Sequence, residues 1–170
     1  MANNVNSILS ELLKSDSITN IAKSSGISTK NVESILKSAL PSLISGANSQ
    51  STNTDTKEGF LNALVNHGSK DTSNLSSFFK NIDLEDGAKI VNHLLGNKSE
   101  DTSKTAAKAS GVDSKDVSKV LSAAAPLLMS VIGKKVTDTN KKDSTSSLAG
   151  IASSLLGNSD VGDLLKGFLK

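Results

Sequence analysis

Apolar residues recur along this chain at intervals of three and four, the spacing that gathers them on one face of an α-helix. The clearest stripes cover residues 32–44 and 117–132. No stretch alternates apolar and polar residues over the length of a strand, and β-branched runs are absent. The pattern therefore predicts an all-α protein. Its principal helices are expected at 5–14, 17–25, 29–46, 85–96, 101–110 and 114–133, and one or two further helices should follow the third helix of each set of three.

The chain contains an internal duplication. Residues 21–46 align with residues 106–131 without a gap, and 11 of the 26 pairs are identical. Because a repeated unit folds the same way each time, we expect two copies of a helical unit of about 85 residues, at 1–81 and 82–170. We expect the copies to pack with pseudo-twofold symmetry and to interlock as one globular domain, since the segments that end each copy can reach the other.

Each copy has a helix-turn-helix-like core, at 17–46 and at 101–133. In such a core a small residue lets two helices cross closely, and a glycine adopts the left-handed turn between them. A later proline falls inside the apolar stripe, so we expect the second helix to kink or restart there with both parts on the core. Any tightly joined pair of helices reaches this solution, so we interpret the motif as structural. The residues expected to carry this geometry are Ala22, Gly26, Pro41, Ala107, Gly111 and Pro126.

The same motif reads DNA in many proteins, and Lys30 and Lys115 lie at the start of the helix that would contact nucleic acid. DNA readers surround that helix with cations, because neutralising phosphates supplies much of the affinity. Here acids share the same stretch, at Glu33 and Asp116. Nucleic-acid binding through the two units is therefore an alternative that we do not favour.

Composition removes several classes of function. The chain has no Cys, which excludes disulfides and thiolate chemistry. All 19 basic residues are Lys, and the net charge of +2 provides no broad basic surface. Trp and Tyr, which stack on nucleic-acid bases, are absent. Since neither a secretory leader nor a run of membrane-spanning length is visible, we expect a soluble cytoplasmic protein without a membrane span.

The two histidines, His67 and His93, each follow the dipeptide Val-Asn. Two histidines and a carboxylate can hold a metal ion. The carboxylates that could join them are Asp71, Asp83, Glu85 and Asp86. Their spacing defines no site, so we expect no metal, no cofactor and no catalytic residue. We interpret His93 as a residue at the edge of a helix that bonds to nearby backbone, and a small-ligand or metal site around it is an alternative.

Polar residues fill two segments, 47–59 and 134–147, which we predict to be linkers. The C-terminal stretch 153–170 is amphipathic, and within it residues 160–168 resemble residues 71–79. We therefore expect the tail to pack on the core as the counterpart of the first copy's last helix. Docking on another subunit or on a membrane surface is the alternative for this tail.

Residues 86–135 resemble the YidB-like family of small bacterial proteins. Three phrases carry the resemblance: GAKIVNHLLGN, an SG pair followed by an acid, and LSAAAPLLMSVIG. The resemblance implies an all-helical fold, brings no established activity, and places the family's histidine and proline at His93 and Pro126. The tail is poorer in glycine than is typical of the family.

These observations predict a non-catalytic bacterial helical protein that acts in interaction or assembly. Its partner is another protein or a second copy of the chain, and the sequence names neither. Nucleic-acid binding around Lys30 and Lys115 is the first alternative. A small-ligand or metal site around His93 is the second.

Overall fold

The structure, a computed structural model, describes residues 3–140. This part of the chain is all-helical, as predicted, and contains no strand. The predicted tail at 153–170 and the end of the second linker lie outside it. The elements are α1 (Asn3–Leu12), α2 (Ser15–Ser25), α3 (Thr29–Thr52), α4 (Lys57–Gly68), α5 (Leu75–Lys80), α6 (Leu84–Leu95), a 3₁₀ turn (Gly96–Lys98), α7 (Ser99–Ser110) and α8 (Ser114–Asn140).

Tight glycine turns join α2 to α3 and α7 to α8. Gly26 has φ 73° and Gly111 has φ 71°, both in the left-handed region that favours glycine. Their amides donate to the carbonyls of Ala22 and Ala107 and so close the last turns of α2 and α7. The Ser28 hydroxyl then accepts from the amide three residues on and caps α3. Local chemistry thus accounts for both turns.

The long helices α3 and α8 extend beyond the predicted ends at residues 46 and 133, so part of each predicted linker is helical. Neither helix restarts at its proline: α3 runs through Pro41 and α8 through Pro126, and both prolines are buried. Tertiary contacts extend α3, because Ala47 is fully buried and Gln50 Nε2 donates to the carbonyl of His93 at 2.9 Å. Packing thus overrides the polar composition from which we predicted the linker.

The first helices of each half pack on the long helix of the other half. In the first half α1 and α2 contact α8, and in the second half α6 and α7 contact α3. The centre of this arrangement is α8, in which every residue from 120 to 133 is buried. Apolar residues from both halves form one hydrophobic core.

One helix of the described chain, α8, is long and apolar enough over Ser114–Lys134 to cross a membrane by length and composition alone. Of the most apolar stretch, 83% is buried inside the protein. Burial on all sides also produces an apolar helix of this kind in a protein core. The stretch is therefore explained by the other helices that cover it.

Glycines set how closely α4 and α6 approach α8. A Cβ on Gly87 of α6 would overlap the carbonyl oxygen of Ser122 in α8. A Cβ on Gly68 of α4 would come within 2.6 Å of the carbonyl carbon of Gly133. Because both contacts are with backbone, which moves only with its helix, these glycines fix the positions of α4 and α6 on α8.

Candidate functional site

A groove lies between α4 and α6, where both helices pack on α8. Its volume is about 270 Å³, just below the range of about 300–1,000 Å³ that is usual for small-molecule sites. Residues at spacings of three and four on α4 and α6 form its sides, and α8 contributes one residue. The lining residues are Phe60, Ala63, His67, Asp86, Lys89, Ile90, His93, Leu94 and Met129.

The base of the groove is apolar and its rim is polar. Phe60, Leu94 and Met129 are 3%, 4% and 2% exposed, so their side chains belong to the hydrophobic core as well as to the groove. Lys89 and His93 are exposed at the rim. A site with an apolar base and a few polar groups at its mouth fits a ligand that has an apolar body and a polar end.

Both histidines of the chain line this groove, although they lie on different helices. Asp86, one of the four carboxylates considered with them, lines it too, whereas Asp71, Asp83 and Glu85 do not. No group of three or more histidine, aspartate or glutamate residues in the described chain could hold a metal ion.

His93 makes its tertiary hydrogen bond through its backbone carbonyl, which accepts from Gln50 Nε2. Its ring stays exposed at the rim of the groove. The bond expected of His93 is with nearby backbone, whereas the bond seen joins its own carbonyl to a side chain of α3. The ring is thus available to a ligand.

His67 is partly buried, and its Nδ1 atom is buried without a hydrogen-bond partner in the described chain. Burial lowers the pKa of His67 below the ordinary value of 6.5, and the charge of Lys70 lowers it further. The carboxylate of Asp86 acts in the opposite direction but more weakly. The ring is therefore mainly neutral at pH 7. Lys70 and Asp86 together create a positive electrostatic potential at the ring.

We expect His67 to make stability fall at acid pH. Since its pKa is lower in the folded protein than in the unfolded chain, the unfolded chain takes up a proton first as the pH falls below 6.5. The contribution is complete above pH 6.5 and is lost as the pH falls toward the folded pKa. Urea midpoints of wild type and His67→Asn at pH 8 and pH 5 measure it. Wild type should lose more stability than the variant, and equal losses would contradict the assignment.

Lys30 and Lys115, the candidates for nucleic-acid contact, are exposed at the starts of α3 and α8. Lys115 lines a separate polar depression between α7 and α8, and neither lysine reaches the groove. Four other lysines form ion pairs with acids on or beside the same helix, which reduces the free positive charge on the surface. These pairs are Lys14–Glu11, Lys37–Glu33, Lys104–Glu100 and Lys119–Asp116.

Sequence reasoning did not select Lys89, Met129 or Phe60. A usable signal existed on α6, where Asp86, Lys89 and His93 follow the helical spacing that places them on one face. No local pattern connects that face with α4 or with Met129, because their contact depends on how both helices pack on α8.

The chain matches a protein family but no individual curated protein or solved structure. The family described as "Bacterial protein of unknown function (DUF937)" matches residues 7–135, which is more than half of the chain and includes all nine residues that line the groove. The chain therefore belongs to this bacterial family of unknown function, which includes the YidB-like proteins that residues 86–135 resemble.

Proposed function

We propose that this protein is a non-catalytic cytoplasmic interaction protein, and that the groove between α4 and α6 binds an apolar group of its partner. One observation carries the proposal: the two histidines, a lysine and an aspartate surround a groove with an apolar base. Polar groups around an apolar base orient a bound group, while the base supplies affinity by excluding water.

The composition of the groove supports binding rather than catalysis. Its nine lining residues include no Ser, Thr or Cys, so they offer neither a hydroxyl nor a thiol nucleophile.

We also propose that the fold is a duplicated unit with pseudo-twofold packing. The order α1–α2–α3 recurs as α6–α7–α8, and the contacts are reciprocal: α2 packs on α8 as α7 packs on α3. The groove does not follow the repeat, since Met129 aligns with Ile44 and His93 with Glu11. Residues that differ between copies are those that the shared fold leaves free to serve binding.

The chain's two methionines make the groove directly observable. With ¹³C-methyl methionine the protein gives one signal from Met129, at the base of the groove, and one from Met1. Titration with octan-1-ol, a neutral apolar probe, should shift the Met129 signal in a saturable way with a Kd of about 1 mM or tighter.

Two leucine substitutions separate the groove from general hydrophobic binding. Ala63→Leu fills the groove and should abolish the shift of the Met129 signal. Ala109→Leu places the same side chain at an exposed position on α7 and should leave the titration unchanged. If both variants bind octan-1-ol as wild type does, the groove is not the binding site.

Self-association is the second candidate. The two exposed large apolar residues of the described chain, Val65 (46%) and Leu84 (38%), belong to α4 and α6, the helices that border the groove. A solution mass by light scattering of twice 17.5 kDa would support it, and 17.5 kDa would contradict it. Nucleic-acid binding is the weaker alternative, because acids accompany the surface lysines.

A further inference from the structure

We propose that the groove selects an apolar group that carries a carboxylate, with Lys89 and His93 at the rim holding the carboxylate and the base of the groove holding the apolar body. The inference rests on the proposed function and names the chemistry that the groove recognises. A small carboxylic acid and the carboxyl end of a polypeptide share this chemistry.

The volume of the groove sets the size of the bound group. At about 270 Å³ the groove is slightly smaller than the usual range for small-molecule sites, so we expect it to hold a short apolar chain. Phe60, Ile90 and Met129 present the apolar contact surface for such a group. A straight chain of eight carbons with one polar end therefore matches the groove.

Charges at the rim favour a negative end. Lys89 is exposed and forms no ion pair within residues 3–140, so its ammonium is available. At the neighbouring wall, the positive charge of Lys70 acts on His67 more strongly than the negative charge of Asp86. His93, exposed beside Lys89 on the same helix, adds hydrogen-bonding capacity to the rim of the groove.

The order of charges along α6 orients the group. Asp86 lies in the first turn of the helix and His93 in the last. At a rise of about 1.5 Å per residue these ends are about 10 Å apart along the helix axis. Lys89 lies between Asp86 and His93, about one turn from each, so a carboxylate held between Lys89 and His93 lies on the side of Lys89 away from Asp86, and the apolar body extends over the base of the groove.

Three probes with the same eight-carbon chain test the charge. Octanoate, octan-1-ol and octylamine are titrated against the full chain at pH 7.5 and low salt, with the Met129 methyl signal as the readout. Octanoate should bind about 2- to 5-fold more tightly than octan-1-ol, a preference limited by the exposure of the rim. Octylamine, positively charged at this pH, should bind most weakly.

Matched lysine variants locate the preference. Lys89→Gln should weaken octanoate binding more than octan-1-ol binding, so that the preference for octanoate over octan-1-ol disappears. Lys108→Gln, at an exposed position on α7, should leave all three affinities unchanged. Equal loss of octanoate binding in both variants would show a general charge effect and overturn the assignment to Lys89.

The outcomes separate this inference from the proposed function. If octan-1-ol binds as tightly as octanoate, or octylamine binds best, carboxylate recognition is wrong while the groove remains a binding site. If no probe shifts the Met129 signal, both are wrong. The peptide acetyl-Gly-Gly-Leu, as free acid and as amide, distinguishes the two sources of the carboxylate. If the free acid binds more tightly than both its amide and octanoate, the natural ligand is the carboxyl end of a polypeptide. If the free acid binds more weakly than octanoate, the ligand is a small acid.

Discussion

Replacing Gly87 with alanine is expected to lower the free energy of unfolding by about 1–3 kcal/mol, the usual cost of overpacking a core. The added Cβ would overlap the carbonyl oxygen of Ser122, so α6 must move away from α8. Alanine improves helix propensity by about 0.5–1 kcal/mol, which offsets only part of that cost. Urea unfolding followed by circular dichroism at 222 nm measures the difference.

Gly59→Ala is the matched control for that substitution. Gly59 also lies in a helix, in the first turn of α4, but a Cβ there meets no atom within 4 Å. Its effect should range from neutral to slightly stabilising. Equal stability of the two variants would show that the close approach of α6 to α8 is not needed.

Gly87→Ala also tests the groove, because the substitution should move α6. Asp86, Lys89 and His93 are carried by α6, whose position depends on Gly87. Moving the helix widens the groove and separates these side chains from Met129. Gly87→Ala should therefore weaken octan-1-ol binding, whereas Gly59→Ala should not.

Local sequence information predicted the helices well and their relative positions poorly. The apolar stripes of α3 and α8, and the turns at Gly26 and Gly111, follow from periodicity and from backbone conformation, which neighbouring residues determine. The extension of α3 to Thr52 depends on contacts with α6, a segment more than 30 residues away. Periodicity carries no information about such a contact.

The candidate site shows the same limit. Both histidines are visible in the sequence, but they line one groove only because α4 and α6 both pack on α8. The sequence also does not reveal the close contacts of Gly68 and Gly87 with α8, because a glycine inside a helical pattern indicates only a lower helix propensity. Their role becomes clear only when the helix that they touch is known.

Separating the two halves is expected to abolish the folded monomer of each. In the intact chain α6 and α7 cover α3, while α1, α2 and α4 of the first half cover the side of α8 that its own half leaves open, so each half alone exposes apolar surface of its long helix. Losing the packing of several helices should destabilise the fold more than any single substitution does. Fragments 1–81 and 82–170, purified separately, should not form cooperatively unfolding monomers, and an equimolar mixture should form a cooperatively unfolding complex with the mass of the intact chain, 17.5 kDa.

A nicked full-length protein controls for the break itself. A protease site inserted between Asn81 and Ile82, in the connection between α5 and α6, should be cleaved without loss of helical signal, because the helices on both sides stay packed. A cooperatively folded monomer of 82–170 would contradict the interlocked arrangement. A folded homodimer of that fragment would support the pseudo-twofold packing, since the second copy would then cover α8 where α1 and α2 lie in the intact chain.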